Sequence, residues 1–161
     1  MDEQYRKQIE NLYRKMYCLL FEYARSALSN DSLAEEAVQE TFRIACQKHE
    51  SLWESPNPEG WLVITLKNVI CNTVHSRATA AHLLKDYFTL HPNGTSASED
   101  PAEIDVLYGN IADTEELKLL KEMALDGKSY LEMATARGIS VEACRKRMQR
   151  AKEFLRKKLA K

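Results

Sequence analysis

The sequence predicts an all-α fold: two small helical domains. Three observations carry this. Apolar residues recur at alternating steps of three and four over long stretches, the period of a helix with one buried face. Serine, asparagine and aspartate stand where those stretches begin, and their side-chain oxygens serve the unpaired N–H groups of a first turn. Residues 91–101, HPNGTSASEDP, are small, polar and broken by proline and glycine, a linker composition. The expected division is a domain over 1–88, a flexible acidic linker over 89–105 and a second domain over 106–161.

The first helix is expected over about residues 3–28, with Ile9, Leu12, Tyr13, Met16, Leu19, Leu20, Tyr23 and Ala27 as its apolar stripe. Asn30-Asp31-Ser32 breaks the pattern. Ser32 and Glu35 have capping-box spacing, so the second helix is expected to begin at Ser32. Its stripe is Leu33, Ala37, Val38, Thr41, Phe42 and Ala45; its outer face is Glu35, Glu36, Gln39, Glu40 and Arg43. Ser55-Pro56-Asn57-Pro58 is a loop in which Asn57 caps the third helix and Pro58 takes its first position. Residues 61–66, WLVITL, have strand propensity. The apolar run continues to about Val74 without a turn signal, and that length decides for helix. Residues 75–81 then read as a loop. A further helix opens at Asp113, three residues before Glu116, and carries Leu117, Leu119, Leu120, Met123 and Leu125.

The last stretch, residues 127–161, reads as a short helix, a tight turn and a long basic helix. Ser129 and Glu132 form a capping box ahead of Met133, Ala134 and Ala136. Gly138 can take the left-handed conformation that ends the short helix, and Ser140 caps the next. That helix places Val141, Cys144, Met148, Ala151, Leu155 and Leu159 on one stripe. Such a pair is a helix-turn-helix, whose second helix lies in a DNA major groove. Charge agrees: residues 137–161 hold ten Lys/Arg against two acids, whereas 87–136 hold three Lys against ten. A basic patch is the electrostatic footprint of phosphate binding. The net charge of −1 hides this polarity.

Several classes are excluded. No apolar run approaches a membrane span, and no signal-peptide pattern opens the chain, so a cytoplasmic protein without membrane insertion is expected. Cys18, Cys46, Cys71 and Cys144 show no CxxC. Cys46 with His49 and Cys71 with His75 have ligand-like spacing, but nothing brings the pairs together, and no metal is expected. No acid/base constellation, glycine-rich phosphate loop or nucleophile motif is present, so no catalytic residue, cofactor or enzymatic activity is expected.

Residues 34–42, AEEAVQETF, resemble the A-E-D-x-V-Q-E-T-F signature of bacterial RNA polymerase sigma factors. Trp61-Leu62 with Asn68 is similar to the W-L-x-x-I-A-x-N segment that follows it. Ser129-Tyr130-x-Glu132-Met133-Ala134, then Gly138-Ile139-Ser140, then Arg145-x-Arg147-x-x-Arg150-Ala151-x-x-x-Leu155 resemble the family's C-terminal motif. The two motifs stand in the family's order and span most of the chain. The two-domain size resembles the extracytoplasmic-function (ECF) group, which has a region 2 helical bundle and a region 4 helix-turn-helix.

The resemblance implies core RNA polymerase and promoter DNA as partners, and usually an anti-sigma factor. It implies that Glu36, Gln39, Glu40 and Arg43 dock on a coiled coil of the polymerase's largest subunit. Lys67, Asn68, Asn72, His75 and Arg77 are its candidates for minus-ten DNA, with Asn68 beside a pocket for an unstacked base. Trp61 and Phe42 are then core anchors. Arg145, Lys146, Arg147, Gln149, Arg150 and Lys152 are the candidates for minus-thirty-five DNA. Arg145, Lys146 and Gln149 suit base edges, while Arg147, Arg150 and Lys152 suit phosphates. Departures from the pattern are Asn72 in place of Asp, and a stretch over 75–79 poorer in arginine. The acidic residues 99–105 correspond to a segment that passes through the polymerase's RNA path. Two other readings compete: a helix-turn-helix regulator that binds duplex DNA without polymerase, and a sigma-like interaction protein deficient in promoter opening.

Overall fold

The computed structural model describes residues 2–90 and 114–160. Among these residues there are seven helices and no strand: α1 (Glu3–Leu28), α2 (Asp31–Gln47), α3 (His49–Glu54), α4 (Pro58–Leu90), α5 (Glu115–Ala124), α6 (Tyr130–Arg137) and α7 (Val141–Leu159). The chain divides into two compact units, Met1–His75 and Ser76–Lys161. Helix α4 gives residues 58–75 to the first and 76–90 to the second. The acidic stretch 99–105 and the helix start expected at Asp113 lie outside the described residues.

In the first unit, α1 contributes Ile9, Met16, Leu20 and Ala24 to the core. The expected stripe was too wide: Leu19 is 60% exposed, Tyr23 44%, and Ala27 is exposed as well. They lie on the flank of the helix, while Ala24 packs at its centre. The α2 stripe is buried as read, from Leu33 through Ala45. Its start differs from the expectation. Asn30, not Ser32, is the cap: its Oδ1 accepts from the Leu33 N–H at 3.0 Å. Asn30 has the extended backbone a cap requires, and starting at Asp31 sets a carboxylate in the first turn, where the helix dipole favours it.

Helix α3 was not foreseen; its six residues carry Leu52 into the core. Helix α4 opens as expected, with the Gly60 N–H donating to Asn57 Oδ1 at 3.1 Å. It then runs past Val74 and through the expected loop at 75–81. Ala78, Ala80 and Ala81 are strong helix formers, and Ala80, Leu83 and Leu84 are buried, so packing adds to propensity.

In the second unit, Thr114 caps α5, its hydroxyl accepting from the Leu117 N–H at 3.4 Å. Leu125 follows the end of α5 and is exposed, as is Ala136 on α6. Both bonds of the Ser129–Glu132 capping box are present. Gly138 has φ +66°, left-handed, and the Ser140 hydroxyl accepts from the Ala143 N–H at 3.1 Å. Leu117, Leu119, Leu120, Met123, Met133 and Ala134 meet Cys144, Met148, Ala151 and Leu155 in one core, joined by Ala80, Leu83 and Leu84. Each fully buried leucine or methionine contributes about 1.5–3 kcal/mol relative to exposure. Arg137 braces the assembly, pairing with Glu115 at 2.6 Å and Glu122 at 2.7 Å. Burial alone would lower its pKa, but hydrogen bonds donated to the two carboxylates outweigh that and raise it.

Candidate polymerase and DNA interfaces

The buried α2 stripe fixes which residues face outward. Gln39 and Arg43 are exposed; Glu36 and Glu40 are half-buried. The Arg43 guanidinium donates to both Glu40 oxygens, at 2.8 and 2.6 Å. This bidentate pair aims both side chains together. Gln39 Nε2 donates to the Tyr13 hydroxyl at 3.1 Å, joining α2 to α1. Tyr13 also meets Phe42 edge-on, with centroids 4.8 Å apart, and stands 5.2 Å from Tyr17. Burial, then the Glu35 charge, raises the Tyr17 pKa. The surface is therefore an acidic row bordered by aromatics. Sequence reasoning assigned Tyr13 to the core stripe and missed its hydroxyl; the usable signal is that a half-buried tyrosine seeks a polar partner.

The second candidate site is a cavity of about 370 Å³ in the first unit. Helix α4 supplies Trp61, Ile64, Thr65, Asn68, Val69 and Asn72; α2 supplies Ile44; Lys48 and Ser51 complete the wall. Its volume lies in the range of small-ligand sites. Apolar walls with a few convergent polar groups can hold a flat, hydrogen-bonding ring. Asn68 and Asn72 each offer a donor and an acceptor. The Thr65 hydroxyl is already used, donating to the Trp61 carbonyl at 2.8 Å. Trp61, read as a core anchor, packs against the core and also forms part of this wall, whereas Phe42 is buried.

Of the five minus-ten candidates, Asn68 and Asn72 come together here. Lys67, His75 and Arg77 do not line the cavity. Lys67 Nζ stands 5.9 Å from the Tyr23 ring centroid, and His75 is exposed. Arg77 belongs to the second unit, where its Nη1 donates to the Lys128 carbonyl at 3.3 Å. Lys48 and Ser51 were missed because α3 brings them in, and six residues leave no periodicity to read.

The third candidate surface is the outward side of α7. Lys146, Arg147, Gln149 and Arg150 are exposed, opposite the buried stripe. The other two candidates are engaged within the protein. Arg145 is half-buried, its guanidinium carbon 5.2 Å from the Tyr130 ring centroid, a cation–π contact. Lys152 is half-buried and donates to the Ser76 hydroxyl. Burial, aided by the nearby Arg156 charge, lowers its pKa. Arg156 and Lys157, exposed further along α7, extend the basic surface.

Among the described residues no three His, Cys, Asp or Glu side chains gather as a metal site. Cys18, Cys46 and Cys71 are exposed, and Cys144 is buried in the core. No described helix is long and apolar enough to cross a membrane.

No curated protein and no solved structure matches the chain. Residues 12–79 match the family Sigma-70 region 2. That span holds most of α1, all of α2 and α3, and α4 through the cavity. The family acts in the initiation of transcription. Residues 12–79, less than half of the chain, are thus similar to Sigma-70 region 2, and the α2 face and the α4 cavity both lie within that span.

Proposed function

We propose that this chain is a sigma factor of the ECF type, which binds core RNA polymerase in the cytoplasm and directs it to promoters. The α2 face, with Glu36, Gln39, Glu40 and Arg43, docks on the polymerase. Its acidic row suits a basic partner helix, and the fixed Glu40–Arg43 pair sets orientation more than raw affinity. The Met1–His75 unit acts on the minus-ten element and the Ser76–Lys161 unit on the minus-thirty-five element. Linked contacts of this kind add through effective concentration.

The observation that supports this best is the cavity beside Asn68. A base leaving a duplex needs an apolar wall and polar groups for its edge. Trp61 and Ile44 offer the first; Asn68 and Asn72 offer the second. Lys48 supplies a cation at the rim for a backbone phosphate. On α7, Lys146 and Gln149 read base edges while Arg147 and Arg150 hold phosphates. The protein itself performs no reaction and needs no cofactor or metal; the polymerase carries the chemistry. An anti-sigma factor is the expected regulatory partner.

Transcription in vitro tests the reading. Core polymerase and a genomic promoter library are incubated with and without the chain. Initiation at a defined promoter class is expected only with it. Duplex binding by the chain with no initiation at any promoter would favour the helix-turn-helix regulator instead.

A further inference from the structure

Arg137 and Arg145 are both half-buried in the second unit, but they are held differently. Arg137 pairs with the Glu115 and Glu122 carboxylates, which offset its charge. The Arg145 guanidinium carbon stands 5.2 Å from the Tyr130 ring centroid. A ring face attracts a cation through its quadrupole and carries no net charge, so this contact offsets none of the positive charge. Tyr130 is a firm platform. It opens α6 directly after Ser129, which is 1% exposed and locked by both capping-box bonds. Its side chain packs against the core of the second unit. Arg145 opens the second turn of α7, with Lys146 next to it and Gln149 one turn further along. A recognition helix contacts base edges from this N-terminal part.

We propose that Tyr130 is a specificity-determining positioning residue: its ring holds the Arg145 guanidinium in one orientation, from which Arg145 reads a single guanine. The inference rests on the proposed reading of duplex DNA by α7 and adds to it a residue outside that helix. Guanine presents O6 and N7 side by side in the major groove, and the planar guanidinium fork matches both at once. Such a match needs a fixed plane, which the long stem of arginine does not supply by itself. Ordering the side chain before binding removes part of the entropy cost of the contact. A carboxylate in place of the ring would also order it, but its two oxygens would engage the fork. The ring orders the guanidinium through a face that has no such paired acceptors. Lys146, the exposed neighbour, carries a compact ammonium with no plane to fix.

The test uses the intact chain and a randomised duplex library, with bound sequences counted at several salt concentrations. The native chain is expected to favour guanine at one position by about tenfold or more, as for a bidentate contact. Arg145→Ala should abolish that preference. Tyr130→Leu, which keeps apolar bulk, should reduce it by roughly threefold or more. Preferences at other positions and the salt slope should stay as they are, since no phosphate contact is lost. Tyr130→Phe should keep the preference. A ring-fluorinated phenylalanine at the same position, alike in shape but with a weakened face, should lose it. That comparison decides if circular dichroism shows that Tyr130→Leu does not fold. A guanine preference that survives fluorination, or one that persists in Arg145→Ala, would overturn the proposal while the reading of DNA by α7 stands. A native chain with no sequence preference at all would overturn that reading and this inference with it.

Discussion

The Gln39 carboxamide donates to the Tyr13 hydroxyl at 3.1 Å, a bond between α2 and α1. It holds an exposed, flexible side chain in one orientation on the proposed polymerase face. An ordered side chain loses less entropy on binding than a free one. Replacing Gln39 therefore removes both a contact and its preorganisation.

Gln39→Ala with Glu40→Lys should strongly weaken binding to core polymerase while leaving helicity intact. The loss of the bidentate Arg43–Glu40 pair, whose carboxylate is half-buried, should cost about 1 kcal/mol of stability, the upper end for surface ion pairs. A pull-down with core polymerase and a thermal melt on one preparation check both. Unchanged affinity would count against the sigma-factor assignment of this face.

Asn68 is exposed in the cavity wall. Asn68→Ala should fold normally, with stability changed by no more than about 0.5 kcal/mol. Core binding and duplex minus-thirty-five binding should persist. Permanganate reactivity of the promoter should fall, and a pre-melted bubble should not fully restore it. A lowered melting temperature with parallel loss of every activity would make Asn68 a structural brace instead.

What the sequence made legible was what local chemistry alone decides. The Ser129–Glu132 capping box, the Gly138 turn, the Ser140 cap and the α7 stripe each rest on residues within a few positions of one another. Less legible were features set by neighbours distant in sequence. Asn30 and Ser32 are both good caps, and the backbone geometry, not the residue type, selects Asn30. The stretch over 75–81 reads as a loop until Leu83 and Leu84 are seen to need a core. Asn68 was named from the family motif and Asn72 as a departure from the family's Asp, whereas Lys48 and Ser51 needed α3. Capture of Arg145 by Tyr130 and of Lys152 by Ser76 involves pairs that no helical period connects.

On α7, Lys146 and Arg150 are both exposed and test the division between reading and positioning. Lys146→Ala should relax preference at one base pair, at a cost of about 1–3 kcal/mol for the preferred sequence. Arg150→Ala should weaken all sequences alike and lower the salt slope by about one. Binding across a duplex library at several salt concentrations separates the two. Identical profiles for both variants would sink the division.

Lys152 gives a pH signature. Its folded pKa lies below its ordinary 10.5. Between the folded value and 10.5 the unfolded chain binds more protons, so stability rises with pH through that window. Below the window the whole cost of burying the ammonium is present. Lys152→Met, which keeps an apolar stem, should therefore be more stable than the native chain near neutrality. The margin should shrink as pH climbs toward 10.5. Urea midpoints of the two proteins, compared at each pH, cancel the titration of other groups. A margin that stays constant would show that the ammonium is not buried at a cost.

Helix α7 keeps its packing residues and its proposed recognition residues on separate sides. Cys144, Met148, Ala151 and Leu155 are buried, while Lys146, Arg147, Gln149 and Arg150 are exposed. Mutation can thus rewrite the outer set without disturbing the inner one. If α7 reads promoters as proposed, duplicated copies of such a gene can drift apart in promoter preference while sharing one scaffold.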